Sequence, residues 1–310
     1  MDKALVTGGA GFIGSNLVEK LVEQDIKVVV LDDLYLGDES NLSEVEDEIE
    51  FVKGSVLDDQ AVEEAVEGCD TVFHLAARSS SPMHKENPEE GARVNVEGFV
   101  NTVEAAKQEG VEKIVYASTS SMYGTVKPPH RESQDPMPAN LYTASKMSRE
   151  KYAESYSYNE QIETTGIRFF SIYGPHEKAK GKYANVVTQF LWKMMDDEQP
   201  VIWGDGEQER DFVFVKDAVD AVVKAAERDE SLDGEVINVG RGDPVTFNDV
   251  VEKLNDELGK DIEAEHIENP RDKYVREHCA DISKARELLD WEPEHSFEEG
   301  LKKTAEYYRE

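Results

Sequence analysis

Three glycines spaced three apart constrain this chain more than any other feature. Thr7-Gly8-Gly9-Ala10-Gly11-Phe12-Ile13-Gly14 follows the apolar run Lys3 to Thr7 and opens a helical pattern from about Ile13 to Gln24. Each glycine has a mechanical use in such a strand–turn–helix unit. Gly8 permits the tight turn, Gly11 lets a pyrophosphate approach the backbone, and Gly14 lets helix and strand pack closely. The helix start, at Phe12 and Ile13, then faces the phosphates. A lone triplet is a weak signal, but here the next strand, Lys27 to Leu31, stops at Asp32. A carboxylate there can accept from both ribose hydroxyls and would repel a 2′-phosphate, which favours NAD over NADP. Asp33 is the second candidate for the ribose. Asp58, in Gly54-Ser-Val-Leu-Asp58, is a candidate for the adenine edge or a plain helix cap.

Strand-length apolar runs alternate with helical patterns through the first half. Strands are predicted at Lys3 to Thr7, Lys27 to Leu31, Glu50 to Lys53, Thr71 to Leu75, Lys113 to Ala117 and Glu163 to Phe169. Helices are predicted at Asp59 to Glu67, Leu141 to Tyr158 and, as one long element, Pro88 to Glu109. Near-continuous apolar strands separated by helices indicate a parallel sheet covered on both faces. With right-handed crossovers the product is a doubly wound α/β fold. The second half is punctuated by Gly174-Pro175, Gly204-Asp-Gly206 and Gly240-Arg-Gly-Asp-Pro244. It carries helical patterns near Ala184 to Met195, Val215 to Arg228, Thr246 to Leu258 and Ile282 to Leu289, with Thr246 and Asp249 as a capping pair. The expected organisation is residues 1–170 as a cofactor-binding domain and 171–310 as a smaller C-terminal α/β region, packed on the first and open to interleaving with it.

Acidic residues number 67 against 34 basic, a net charge of −33. That balance argues against binding nucleic acid or an anionic membrane, since both need a basic footprint. The acids are dispersed. Such a surface keeps a protein hydrated where molar salt screens charge almost completely. A halophilic source is the expectation, and an acidic mesophilic enzyme the plainer alternative. Cys69 and Cys279 alone do not make a disulfide framework. No apolar run approaches a membrane span of about 20 residues, and no signal-peptide pattern is evident. A soluble cytoplasmic protein is expected. The seven histidines are scattered, so no metal site is predicted.

Tyr142-Thr-Ala-Ser-Lys146 puts a phenol and an ammonium four apart on one helix face. A lysine charge there would favour the phenolate and depress the tyrosine pKa. Upstream, Ala117-Ser-Thr-Ser-Ser-Met-Tyr-Gly124 places four hydroxyls at a strand end.

At this point the chain resembles the extended short-chain dehydrogenase/reductases, in their NAD-dependent nucleotide-sugar epimerase and dehydratase branch. The likeness rests on TGGAGFIG, Asp32, His74-Leu-Ala-Ala77, Asn95-Val-Glu-Gly98, STSSMYG, YTASK, Arg168 to Pro175, Gly204 to Val215 and Ala280 to Pro293. It implies a Rossmann-type fold. It implies Tyr142 as the acid/base on a sugar hydroxyl and Lys146 as the holder of the nicotinamide ribose. It implies Thr119 as the bridging hydroxyl, with Ser118 the alternative if the strand end is shifted. Leu75, Ala76 and Ala77 would lie along the cofactor, and Asn95 would help place it.

Members that dehydrate carry an Asp-Glu pair straight after the threonine, and those that decarboxylate usually keep the glutamate. Here Ser120 and Ser121 stand at those positions, and serine cannot be that acid/base pair at neutral pH. What remains is reversible oxidation at one carbinol. The resemblance therefore implies a nucleotide-sugar epimerase, foremost a UDP-hexose 4-epimerase. Another reaction on the same scaffold is the alternative: UDP-glucuronate epimerase, decarboxylase, dehydratase or keto-sugar reductase. A non-catalytic NAD-binding sensor is the remote one. Arg210 would grip the substrate diphosphate, and Asn185 would face the same phosphates. Arg271 stands, shifted, where relatives keep a second phosphate arginine. Ser171 replaces a frequent asparagine, Ser79 and its neighbours would leave the sugar room to turn, and Ser120 would line its pocket. His278 lies near the position that limits the C2 substituent. A homodimer through the Pro88–Glu109 and Leu141–Tyr158 helices is implied.

Overall fold

Seven parallel strands form one sheet in the computed structural model, which describes residues 1–159, 162–232, 234–270 and 274–309. The strands are β1 (Lys3–Thr7), β2 (Lys27–Asp32), β3 (Ile49–Lys53), β4 (Thr71–His74), β5 (Lys113–Thr119), β6 (Glu163–Phe169) and, after four short strands, β11 (Val236–Val239). Their order is β11-β6-β5-β4-β1-β2-β3. Successive residues leave the sheet on opposite sides. Ala4 and Val6 accordingly enter one core with Leu17, Leu21 and Val219, and Leu5 enters the other with Val62, Phe99 and Val103. Helices α1 (Phe12–Glu23) and α8 (Val215–Glu227) cover the first face. Helices α2 (Asp59–Val66), α5 (Gly98–Glu109) and α6 (Leu141–Tyr158) cover the second. The predicted doubly wound α/β class is the observed one.

The strand order reverses between β1 and β4, and their ends align, Thr7 opposite both Leu31 and His74. Adjoining loops diverge at such a point and open a crevice at the carboxyl ends of the strands.

Three differences from the sequence pattern bear on the site. The expected Pro88–Glu109 helix is α4 (Pro88–Ala92), a π-helical turn (Arg93–Glu97) and α5. The extra residue in that turn points Asn95 inward, where it is fully buried. A short helix, α3 (Ser81–Glu86), rises from the serine run with Pro82 in its first turn. Finally, β11 and α8 return to the large sheet although they follow residue 170, so the second half is interleaved with the first.

The remaining elements build a lobe beside the crevice. These are β7 (Ser171–Tyr173), β8 (Val201–Trp203), β9 (Glu209–Arg210), β10 (Phe212–Phe214), β12 (Val245–Thr246) and β13 (Glu265–Ile267), with α7 (Val186–Met195), α9 (Phe247–Leu258), α10 (Ser283–Leu289) and α11 (Phe297–Arg309). The short strands pair two by two, β7 with β10, β9 with β12 and β8 with β13. The Thr246–Asp249 capping box forms as predicted. Among the described residues no helix is long and apolar enough to cross a membrane.

Candidate active site

The crevice has a volume of about 1450 Å³, well above the roughly 300–1,000 Å³ of a pocket for one small ligand. Gly8, Gly11, Phe12, Ile13 and Gly14 line one end. Gly8 has φ +72°, and a Cβ there would sit 2.8 Å from the Ala76 nitrogen. A Cβ on Gly14 would sit 2.1 Å from the Gly8 carbonyl oxygen. Gly11 is the N-cap of α1 and has no side chain to offer its amides. An uncapped helix start behind a glycine cradle fits a dinucleotide pyrophosphate.

Asp32 closes this end. It is 7% exposed and accepts from the Ala10 amide at 3.0 Å and the Leu34 amide at 2.8 Å. Burial raises its carboxyl above the ordinary range, partly offset by those amides. Asp33 also lines the crevice, but its carboxylate pairs with Arg78 at 3.0 Å. Arg78 pairs as well with Glu90 at 2.9 Å and lies 3.8 Å over the Tyr35 ring. Leu75, Ala76 and Ala77 line the middle, the first two tied to Thr7 by their amides.

Two expected cofactor residues stand elsewhere. Asp58 does not line the crevice, because its carboxylate caps α2 at the amides of Gln60 and Ala61. Asn95 lies beneath the crevice wall. Its side chain holds both backbone groups of Arg78 and donates to Ser145 at 2.9 Å, so it acts on the crevice through the backbone it fixes.

The reactive end is built by α6. Asn140 caps this helix in a box with Thr143, an arrangement worth about 1 kcal/mol, and so sets the position of Tyr142 in the first turn. Tyr142 is 9% exposed and lines the crevice with Thr119, whose hydroxyl acts to lower the phenol's pKa. Lys146 is 2% exposed and donates to the Ala117 carbonyl at 2.9 Å. The expected electrostatics need correction here. Burial raises the Tyr142 phenol above its ordinary value, and the charge that pulls it down is that of Arg149. Lys146 is itself pushed well below its usual range, by burial first and by Arg149 second.

The neighbouring hydroxyls separate cleanly. Thr119 faces Tyr142 and accepts from the Ser121 amide at 3.2 Å. Ser118 also lines the crevice, but its hydroxyl donates to Glu150 at 2.5 Å. Glu150 also binds the Arg168 guanidinium at 2.9 and 2.8 Å, and Arg168 donates to the Tyr123 hydroxyl at 2.9 Å. Ser120 is buried and Ser121 exposed.

Ser79, Ser120, Ser171, Asn185, Arg210 and His278 line the far end. The Asn185 side chain caps α7 and binds the Ile172 carbonyl, which leaves its role in the crevice to position. The Arg210 guanidinium lies over the Phe247 ring at 5.7 Å and over the Tyr274 ring at 5.3 Å. His278 meets the Ser120 carbonyl at 3.3 Å. Burial first, then the charges of His130 and Arg210, push its ring down to about 3. The buried Asp211 carboxylate, which accepts from the amides of Arg241, Gly242 and Ala280, ties this lobe together. Arg271 lies outside the described residues. Among the described residues no cluster of three or more His, Cys, Asp or Glu could hold a metal ion.

Sequence reasoning missed Arg149, although its spacing of three from Lys146 and seven from Tyr142 places it on the same helical face.

The model of the NAD dependent epimerase/dehydratase family matches residues 4–240. A UDP-glucose 4-epimerase of Mycolicibacterium smegmatis is 36% identical, covering 99% of this chain and 98% of that protein. A UDP-N-acetyl-alpha-D-glucosaminuronate decarboxylase of Bacillus cytotoxicus is 33% identical, with the same coverage of each. The solved structure of UDP-glucose 4-epimerase with UDP-glucose from Thermotoga maritima superposes with a TM-score of 0.93 at 37% identity, covering 99% of this chain and 98% of that one.

Proposed function

We propose that this chain, which belongs to the NAD dependent epimerase/dehydratase family, interconverts nucleotide-diphosphate hexoses that differ at C4, with UDP-glucose and UDP-galactose the favoured pair. The observation that carries the reading is the meeting of Tyr142, Thr119 and Lys146 on the crevice wall, with Ser120 and Ser121 in place of carboxylates. The glycine cradle and the start of α1 would hold the NAD pyrophosphate, and Asp32 its adenosine ribose. Bound there, NAD supplies a hydride acceptor and, once reduced, a donor. Tyr142 takes the proton of the sugar's O4 hydroxyl and gives it back, and Thr119 holds that oxygen against the phenol. Arg210 grips the diphosphate, while the small side chains of Ser79 and Ser120 leave the ring space to present its other face. In this division residues 1–170 hold the cofactor and carry Thr119, Tyr142 and Lys146, and residues 171–310 bind the nucleotide-sugar.

Several properties belong to the same reading. The net charge of −33 supports a halophilic, haloarchaeal-type source and a salt-rich cytoplasm as the working compartment. Leu141, Tyr152 and Tyr158 are 55%, 47% and 85% exposed on α6, which supports pairing of two chains through α5 and α6. An ultracentrifugation mass of one chain would contradict that.

The test is mass-resolved product analysis in high salt, with NAD and a panel of UDP- and dTDP-sugars. A product of unchanged mass and new retention time is expected. Loss of carbon dioxide or water would make the protein a decarboxylase or dehydratase and overturn the reading of Ser120 and Ser121. Tyr142→Phe should lose turnover by about 10²- to 10⁴-fold and keep the cofactor. A non-catalytic sensor would show no turnover to lose.

A further inference from the structure

A fully buried guanidinium stands behind the Tyr142/Lys146 pair. Arg149 is 0% exposed. Its Nε donates to the Asn95 carbonyl at 3.0 Å, Nη1 to the Ala117 carbonyl at 3.2 Å and Nη2 to the Ala76 carbonyl at 3.2 Å. Its remaining face lies 5.5 Å from the Phe99 ring. None of these hydrogen bonds goes to a carboxylate, and the adjacent Glu150 gives both oxygens to Arg168. Among the described residues no ion pair offsets this buried charge, which is therefore costly to the fold. A fold that needed only three donors at this point could supply them without a permanent charge.

The Ala117 carbonyl is also the acceptor of the Lys146 Nζ, so two basic side chains of one helix face converge on one oxygen. That oxygen lies two residues before Thr119, and Ala76 and Ala117 both line the crevice. We propose that Arg149 is a positioning residue of the reaction, the permanent positive charge that makes the Tyr142 phenol reactive while fixing the Ala76 and Ala117 carbonyls at the crevice wall. The inference rests on the reading of Tyr142 as the acid/base. It divides between two side chains what the Tyr-x-x-x-Lys pattern assigns to one.

The surrounding groups leave this role to Arg149. The Lys146 charge is conditional, since burial and Arg149 hold it well below its usual value, whereas the guanidinium falls only to about 10 and stays charged at neutral pH. From α3, the His84 ring faces Tyr142 at 5.5 Å, and burial first keeps it below its ordinary value. From β4, His74 is buried and pushed well down. From β5, burial raises Tyr116 well above its ordinary value. The Glu150–Arg168 pair is self-neutralising. Burial thus moves Tyr142 and Lys146 in opposite directions, and the guanidinium is the charge on this helix face that persists.

The experiment compares Arg149→Lys, which keeps the charge, with Arg149→Met, which removes it, each with and without Tyr142→Phe. Tyrosinate absorbance of the cofactor-free chain is followed against pH in high salt. Subtracting each Tyr142→Phe counterpart isolates Tyr142. Arg149→Met should raise the Tyr142 pKa by about one unit, and Arg149→Lys should leave it within a few tenths. The alkaline limb of turnover should move the same way. An unchanged Tyr142 titration in a folded Arg149→Met chain, or equal shifts in both variants, overturns the proposal. Where Arg149→Met fails to fold, Arg149→Gln, neutral but still a donor, carries the same comparison. Normal turnover in Tyr142→Phe would overturn the reading of Tyr142 instead, because the titration is read without turnover.

Discussion

Thr119 and Ser118 are adjacent hydroxyls with opposite surroundings, so their substitutions should separate chemistry from stability. Thr119→Val keeps the side-chain shape and removes a hydroxyl with two hydrogen-bonding uses, one proposed toward Tyr142 in the reaction and one accepting from the Ser121 amide at 3.2 Å. The first involves a group that gains charge during the reaction, and a hydrogen bond of that kind is worth about 1.5–3 kcal/mol. At about 1.4 kcal/mol per tenfold, turnover should fall about 10- to 150-fold. The second is a cap on the 3₁₀ turn Ser120–Tyr123, and its loss should cost about 1 kcal/mol of stability. Thr119→Ser should restore most of both. Ser118→Ala removes a 2.5 Å hydrogen bond to Glu150, which keeps its two bonds from Arg168. That change should cost about 1–3 kcal/mol of stability and leave turnover within about twofold. Steady-state epimerisation and melting curves in molar KCl read both quantities. Thr119→Val turning over within about threefold of wild type would refute the assignment. So would Ser118→Ala losing turnover as severely with an unchanged melting point, which would make Ser118 the reactive hydroxyl.

Arg210→Ala should raise KM for the nucleotide-sugar about tenfold or more, with a smaller effect on kcat and none on NAD affinity, by steady-state kinetics and calorimetry. Burial pushes the rings of His130 and His278 down to about 4 and about 3. Below pH ~6.5 the unfolded chain then binds protons the folded chain does not, so stability is full above that pH and falls as pH drops toward 4. His130 accounts for about 3 kcal/mol of this loss by pH 4, and His130→Phe should flatten the slope in denaturant titrations taken across that range. Raising KCl from 0.1 to 3 M should raise the melting temperature by roughly 10 °C or more, and full stability in dilute buffer would refute the halophilic reading.

What could be read from the residues follows from how local each signal is. The bounds of β1, β6 and α6 are visible because apolar runs and helical spacing mark them without help from the rest of the chain. β11 is an apolar run too, but nothing local says that it crosses back to pair with β6. The π-helical turn at Asn95 leaves no composition signal, and it sits where α5 packs against α2 and the turn packs against α6. Asp58 and Asn95 stand at the expected sequence positions, yet the side chain of each is taken by a nearby backbone. The electrostatics were least legible. Lys146 lies at the expected spacing from Tyr142, but spacing does not reveal that its ammonium is buried against a carbonyl. Nor does the pattern mark Arg149, three residues on, as a core residue instead of one more surface charge.

The choice among reactions rests on the third dimension as much as on two serines. Relatives at nearly equal identity carry names of different chemistries, so overall likeness does not choose between them. Elimination would need an acid from elsewhere in the chain in place of the carboxylates absent at Ser120 and Ser121. Glu150 is near enough in the fold, but both its oxygens are bound to Arg168 and Ser118 beneath the crevice wall. Glu132 accepts from the Asn238 amide. Among the described residues lining the crevice the carboxylates are Asp32 and Asp33, at the cofactor end, and Asp135, on the loop before α6. Elimination would therefore have to recruit Asp135. If Asp135→Asn leaves turnover intact while Tyr142→Phe abolishes it, the proton chemistry runs through the phenol alone, as reversible oxidation at a single carbinol requires.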